Sequence, residues 1–169
     1  MTDLWSMFFT RLDAFTGVNT KLEDFHYAVH VSLMHKYIFV ENPKVACSTI
    51  KKTLQGLELN DSEYSRDESQ GLHMRDFSPL LSLRQLSDFE VYFERDDFVV
   101  FCFVRNPYAR LLSGYLDKIQ GPRHSLEFKA GVLKTLGYDE IDLDQHVTFE
   151  EFISVIEKQT PFEMDYHWR

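Results

Sequence analysis

The chain is poor in several features that mark specialised protein classes. It has only two cysteines, Cys47 and Cys102, which does not support a disulfide framework and favours free thiols in a reducing compartment. No apolar run approaches the roughly 20 residues that a membrane-spanning helix needs. Basic residues are outnumbered, because 18 Lys and Arg face 27 Asp and Glu, for a net charge of −9. This balance disfavours nucleic acid as the main partner, since a phosphate backbone calls for a basic face.

The remaining composition is that of a folded protein. With 169 residues, 44% of them hydrophobic and 15% aromatic, we expect one domain with a real core. Residues Leu4, Phe8, Leu12 and Phe15 recur at helical spacing and predict an amphipathic helix that packs on the core. This segment lacks the basic start and continuous apolar stretch of a secretory signal, so a cytoplasmic location is expected if this is the whole chain.

A strand, a loop and a helix are predicted over residues 37–57. The apolar run 37–40 predicts a buried strand, and the polar residues after it end that strand. A helix follows from Ser48, which we predict to be its N-cap, with Gly56 near its end. Backbone N–H groups and the helix dipole then favour an anion in the loop, where Lys44 adds a charge and Thr49 a hydroxyl.

This loop does not have the Walker A pattern of nucleoside triphosphatases. That pattern needs G-x-x-x-x-G-K-[ST], whereas no glycine lies between Glu41 and Lys52 and Lys44 precedes the hydroxyl residues. The sequence therefore disfavours a nucleotide kinase. It still predicts a loop that binds a phosphate or sulfate group. Residues His26, His30 and His35 are interpreted as ordinary surface or core histidines, because a metal site needs more ligands at convergent positions.

A second strand and helix are predicted further along. Residues 97–104 are almost continuously apolar, which predicts a central strand of a parallel sheet, covered on both faces. Asn106 can cap the following helix, Pro107 suits its first position, and the helix is predicted to run to about Gln120. Arg105 and Ser113 are thereby predicted to lie at the carboxyl end of this strand, where open α/β sheets bind ligands.

Two further helix starts are predicted from local patterns. Ser78 and Pro79 predict a helix with proline at its first position. Thr148 and Glu151 form the Thr-x-x-Glu pattern of a capping box, followed by an apolar stripe at helical spacing.

Two of these segments resemble motifs of one enzyme family. Residues 43–49, PKVACST, resemble the loop P-K-V-[AG]-C-[ST], which binds the 5′-phosphosulfate of 3′-phosphoadenosine 5′-phosphosulfate (PAPS) in carbohydrate sulfotransferases. Residues 105–115, RNPYARLLSGY, resemble that family's 3′-phosphate motif, R-[DN]-P-x-x-R-x-x-S-x-Y. Residues 165–169, DYHWR, resemble its D-x-H-W-x-P segment, and the chain stops inside this match. One sulfotransferase-like domain over residues 1–169, incomplete at its C-terminus, is therefore expected.

The resemblance implies a fold and a reaction. The implied fold is α/β, with a parallel sheet flanked by helices as in the P-loop-like sulfotransferase fold. The implied reaction moves a sulfuryl group from PAPS to a hydroxyl on a carbohydrate, leaves 3′-phosphoadenosine 5′-phosphate (PAP), and needs no metal. A catalytically weak or inactive PAP- or PAPS-binding module, or a fragment that needs a partner, is the alternative. Family members are typically Golgi membrane proteins, which leaves a membrane-associated location open.

The resemblance also assigns roles to residues. Lys44 would neutralise the leaving oxygen, and Arg105 and Ser113 would hold the 3′-phosphate. His73 is the first candidate for the base that takes the acceptor's proton, and an ordinary surface histidine is the alternative. His167 is the second candidate, with a packing role as its alternative. The predicted nucleotide-binding residues are Lys44, Val45, Ala46, Cys47, Ser48, Thr49, Arg105, Ser113 and Arg123.

Overall fold

The computed structural model describes residues 26–121, 126–160 and 163–168. The chain divides into two compact units, Met1–Val104 and Arg105–Arg169. The helix predicted over residues 2–15 and the predicted ligand residue Arg123 lie outside the described residues.

A small mixed sheet forms the centre of the first unit. Strand β1, Val29–Ser32, pairs antiparallel with β2, Tyr37–Val40, which pairs in parallel with β3, Val99–Cys102. The strand predicted over residues 37–40 is confirmed. The prediction of a parallel sheet holds for β2 and β3, but β1 runs the other way because the short connection over residues 33–36 permits only a hairpin. The unit is thus mixed α/β, with helices beside a three-stranded sheet.

Strand β3 differs from its prediction. It was expected to be central and covered on both faces, yet within the described residues it pairs only with β2 and lies at the edge of the sheet. Val99 is 63% exposed and Val104 is 81% exposed. The ring of Phe101 contributes to the core, with its centroid 5.4 Å from that of Phe39. An apolar run predicts burial, but the position of a strand in a sheet depends on its partners.

Helix α1, Cys47–Leu59, is longer than predicted and begins earlier. Its N-cap is Ala46, so the prediction that Ser48 is the N-cap is wrong: Ser48 lies inside the first turn. Gly56 does not stop the helix. A Cβ at Gly56 would lie 3.1 Å from the Cβ of Tyr64, so this glycine permits close packing of the chain that follows.

The other described residues of the first unit, up to Val104, form short elements. Three 3-10 helices, Glu68–Gln70, Arg75–Phe77 and Leu83–Gln85, precede the five-residue helix α2, Glu90–Glu94. The α-helix predicted from Ser78 is wrong. The backbone of Leu81 instead exchanges two hydrogen bonds of 2.9 Å with that of Val31 in an isolated antiparallel bridge, which stabilises an extended chain there. The buried apolar residues beside this bridge are Val29, Val31, Ile38, Leu83 and Phe89.

A cluster of four charged or titratable side chains lies inside the first unit. We call Glu41, Lys51, His30 and Arg75 the Glu41 cluster. Glu41 Oε2 lies 2.7 Å from Lys51 Nζ and 3.1 Å from His30 Nε2, and the two side chains of the ion pair are 8% and 1% exposed. Arg75 contacts His30 Nδ1 and donates to the carbonyl of Val29 at 3.1 Å. Burial acts to raise the pKa of Glu41, but the His30 hydrogen bond and the Lys51 charge outweigh it and lower the pKa to about 2.

Within residues 105–121, 126–160 and 163–168, the second unit has three helices: α3, Pro107–Lys118; α4, Leu126–Thr135; and α5, Phe149–Ile156. Asn106 caps α3 as predicted, since its side chain accepts from the backbone N–H groups of Tyr108 and Ala109, and Pro107 opens the helix. The predicted capping box of Thr148 and Glu151 is also confirmed. The buried residues between these helices are Tyr115, Ile119, Val132, Leu133, Val147, Phe152, Val155 and Ile156.

We predict that Lys51→Met destabilises the protein by about 3–5 kcal/mol, the cost of removing one partner from a buried ion pair. The substitution leaves the buried carboxylate of Glu41 without its ammonium partner. Urea denaturation followed by circular dichroism would measure the change in the free energy of unfolding. Lys52→Met is the matched control, because Lys52 is the exposed neighbour on the same helix. Equal unfolding midpoints for the two variants would contradict the structural role given to Lys51.

Candidate functional site

The loop between β2 and α1 has an unusual backbone. Lys44 and Ala46 both have positive φ angles, of 64° and 71°, although neither is glycine. Such a conformation costs an ordinary residue of order 1–3 kcal/mol and is concentrated at ligand sites. Ala46 is left-handed and Cys47, which follows, begins a right-handed helix. A change of hand between successive residues turns their N–H groups towards one concave side, which is a common anion site.

The start of α1 adds to this preference for an anion. Ala46 at the N-cap has no side-chain oxygen to accept from the first-turn N–H groups, and no acidic residue lies in that turn. A helix of this length carries partial positive charge at this end. The Cys47 thiol donates to the carbonyl of Asn42 at 2.9 Å, and burial raises its pKa, so it remains a thiol. Cys47 therefore holds the loop with its side chain.

A chain of hydrogen bonds joins the loop to the Glu41 cluster. Ser48 Oγ lies 3.0 Å from His73 Nε2, and His73 Nδ1 lies 2.8 Å from Lys51 Nζ. The same ammonium group contacts Glu41. The chain Glu41–Lys51–His73–Ser48 thus runs from a buried carboxylate to a hydroxyl of the loop.

Two of the four residues in this hydrogen-bond chain were predicted from the sequence, and two were missed. Ser48 and His73 were predicted as site residues, whereas Glu41 and Lys51 were not. The available signal was the helical spacing of Ser48, Lys51 and Gln55, which places three polar residues on one face of α1. Lys51 and Gln55 are both 1% exposed, so this polar face is turned into the protein.

The other predicted residues of the first unit lie in the loop itself. Lys44 is half-buried, the side chain of Val45 is buried, and Thr49 is exposed in the first turn of α1. Loop residues 44–49 and His73 therefore belong to one compact unit.

The remaining predicted residues belong to the second unit. Arg105 is exposed and directly precedes Asn106, the cap of α3. Ser113 lies in the second turn of α3 and is half-buried. Arg110, from the same predicted motif, donates to the carbonyl of Tyr166 at 2.6 Å, and so ties α3 to the C-terminal segment.

His167, the second predicted base, is buried and paired with Asp165. Its Nδ1 atom contacts Asp165 Oδ1, and its backbone N–H donates to the same oxygen at 2.9 Å. Burial acts to raise the pKa of Asp165, but the hydrogen bonds from His167 outweigh it and the pKa is lowered. A carboxylate only accepts, so Nδ1 of His167 carries a proton. The ring also packs against Phe128, with centroids 5.7 Å apart.

Within residues 26–121, 126–160 and 163–168, no group of three or more His, Cys, Asp or Glu side chains could hold a metal ion. No helix in these ranges is long and apolar enough to cross a membrane.

Comparison with known proteins identifies relatives. The chain is 30% identical to carbohydrate sulfotransferase 14 of Mus musculus over 143 residues, which cover 82% of this chain and 36% of that protein. It is 29% identical to carbohydrate sulfotransferase 9 of Homo sapiens over 154 residues, which cover 83% of this chain and 33% of that protein. The chain thus spans about a third of the length of the curated relatives it matches. No solved structure matches it at a significant level.

A family model described as the sulfotransferase family matches residues 28–169. This match includes the loop, His73, Arg105, Ser113 and His167. Because it covers most of the sequence, the chain belongs to the sulfotransferase family.

Proposed function

We propose that this protein transfers a sulfuryl group from PAPS to a hydroxyl group of a carbohydrate. One observation carries the proposal. Lys44 and Ala46 have left-handed backbone conformations just before a helix, and the first turn of that helix has no acidic residue. Such a backbone suits a phosphate or sulfate group. Family membership supports the reaction type, and the names of the carbohydrate sulfotransferases that it resembles support a sugar acceptor.

The residues present fit the donor. Residues 44–49 would hold the 5′-phosphosulfate through backbone N–H groups, the Lys44 ammonium and the hydroxyls of Ser48 and Thr49. Arg105 and Ser113 would hold the 3′-phosphate, and Arg123 is proposed as a further contact. A single sulfotransferase-like domain with a P-loop-like fold is part of the proposal. Its support is that the loop follows β2, which pairs in parallel with β3.

The chemistry requires charge stabilisation and a proton acceptor. When bound, PAPS supplies a sulfuryl group already linked to a phosphate leaving group. Lys44 would balance the charge that gathers on the leaving oxygen, and the backbone N–H groups of the loop would hold the neighbouring oxygens in place. The acceptor hydroxyl must lose a proton, and the sequence nominates His73 and His167 as the groups that could take it. In neutral His167, the contact with Asp165 places the proton on Nδ1 and leaves Nε2 able to accept.

The experiment that tests the proposal is a turnover screen with PAPS over a panel of sugars. Neutral and sulfated sugars are compared, because the net charge of −9 disfavours a highly sulfated acceptor. Sulfated product identified by mass spectrometry would support the enzyme. PAP binding without turnover on any sugar would favour the alternative of a catalytically inactive nucleotide-binding module.

We predict that PAP raises the thermal stability of the protein. At a ligand concentration of ~100 times Kd, binding to the folded state alone adds about 2.7 kcal/mol. Differential scanning fluorimetry would measure the shift in Tm. Adenosine 5′-phosphate, which lacks the 3′-phosphate, is the matched ligand and is expected to shift Tm less. A shift with ATP and Mg²⁺ but none with PAP would contradict the proposed function.

We predict that Arg105→Ala weakens PAP binding by roughly 1.5–3 kcal/mol, the contribution of a hydrogen bond to a charged group. Isothermal titration calorimetry would measure the change. Affinity for adenosine 5′-phosphate is expected to change little, because that ligand lacks the group assigned to Arg105. Lys134→Ala, which removes an exposed positive charge of α4, is the control. Unchanged PAP affinity in a folded Arg105→Ala protein would rule this role out.

We predict that Lys44→Ala keeps the fold and much of the PAP affinity but slows sulfuryl transfer about 10²–10³-fold. A charge that acts mainly in the transition state changes turnover more than ground-state binding. Lys44→Arg should also be slow, because a planar guanidinium does not replace a compact ammonium at one oxygen. Initial rates at saturating PAPS would measure the effect, with Lys52→Ala as the control. Normal turnover of Lys44→Ala would exclude the proposed mechanism.

A further inference from the structure

Two histidines of the first unit share one pattern of hydrogen bonds. Arg75 contacts Nδ1 of His30, and Lys51 contacts Nδ1 of His73 at 2.8 Å. Guanidinium and ammonium groups have donors only, so each Nδ1 atom accepts. The proton of each neutral imidazole therefore lies on Nε2.

The Nε2 protons of the two rings go to different partners. His30 Nε2 faces Glu41 at 3.1 Å, and burial lowers the pKa of His30 to about 4, so this ring stays neutral at physiological pH. His73 Nε2 faces Ser48 Oγ at 3.0 Å. Because His73 donates here, the Ser48 oxygen accepts, and its own hydroxyl proton is directed to another acceptor.

This arrangement conflicts with a general-base role for His73. To accept a proton at Nε2, His73 would need its existing proton on Nδ1, where it would face the ammonium of Lys51. That ammonium cannot readily turn away. It is held by Glu41 at 2.7 Å, is 1% exposed, and lies 5.1 Å from the centre of the Tyr27 ring.

We propose that His73 is a positioning residue that orients the Ser48 hydroxyl so that its proton is donated to the bound anion. Glu41 holds the ammonium of Lys51 in place, and that ammonium fixes the tautomer of His73. The Nε2 proton of His73 then fixes the orientation of the Ser48 hydroxyl. The identity of the anion, a phosphosulfate, rests on the proposed function. The hydrogen-bond chain is independent of it.

The tautomer can be tested without any nucleotide. Two-bond ¹H–¹⁵N spectra of the labelled protein at neutral pH separate the two neutral tautomers, and the signal lost in His73→Gln identifies His73 among the seven histidines. We expect the pattern of a ring protonated at Nε2. A ring protonated at Nδ1 would overturn the proposal, whatever the protein binds.

The positioning role can be tested with PAP. A glutamine at position 73 offers an oxygen to Lys51 and an N–H to Ser48, but it cannot act as a base at neutral pH. We expect Ser48→Ala and His73→Ala each to weaken PAP binding about tenfold, which is about 1.4 kcal/mol. His73→Gln should recover most of the affinity and turnover that His73→Ala loses. The double variant Ser48→Ala/His73→Ala should bind PAP no more weakly than Ser48→Ala alone, because both changes act through the hydroxyl of Ser48.

A control variant and two possible results decide whether the positioning role is wrong. His35→Ala, which alters an exposed histidine of the same unit, is the control for general effects of histidine removal. PAP affinity unchanged in both His73 variants, with turnover lost equally in both, would overturn the proposal and make His73 the base. Absence of PAP binding by the wild-type chain would instead overturn the proposed function, and with it the partner assigned to Ser48.

Discussion

The buried ion pair of Glu41 and Lys51 is the interaction on which the rest of the first unit depends. Two charges held this far from water cost several kcal/mol each unless they are paired and hydrogen-bonded. Here the Glu41 carboxylate also accepts a hydrogen bond from Nε2 of His30, and the Lys51 ammonium also donates one to Nδ1 of His73. Glu41 directly follows β2 and Lys51 lies in the second turn of α1, so the pair fixes both ends of the loop between them. The loop therefore has little freedom to relax.

This restraint explains how a strained loop can exist without glycine. Glycine-rich phosphate loops adopt positive φ at no steric cost, whereas Lys44 and Ala46 each oppose it. Strain of this kind persists only where the surrounding structure over-determines the backbone. The ion pair at the loop's ends and the Cys47 thiol on the Asn42 carbonyl provide that restraint. In return, side chains remain at positions that glycine would leave empty, and one of them is the ammonium of Lys44.

The fold was predictable from the sequence where its cause is local. Residues 37–40 form the predicted strand because four apolar residues end at a polar break, and the caps at Asn106 and Thr148 need only neighbours in the chain. Two predictions that depended on distant partners were wrong. Leu81 pairs with Val31, which prevents the helix predicted there, and no composition rule could place β3 at the edge of the sheet. The same limit hid the pairing of Glu41 with Lys51.

The roles of the histidines in the candidate site also depend on partners that are distant in the sequence or set by the fold. A sequence can nominate a histidine as a base, but the partner at Nδ1 decides what Nε2 can do. At His73 the partner is the ammonium of Lys51, a donor, so Nε2 carries the proton and donates. At His167 the partner is the carboxylate of Asp165, an acceptor, so Nδ1 carries the proton and Nε2 of the neutral ring accepts. The two histidines nominated for one role are thus set up for opposite ones, and only their three-dimensional partners distinguish them.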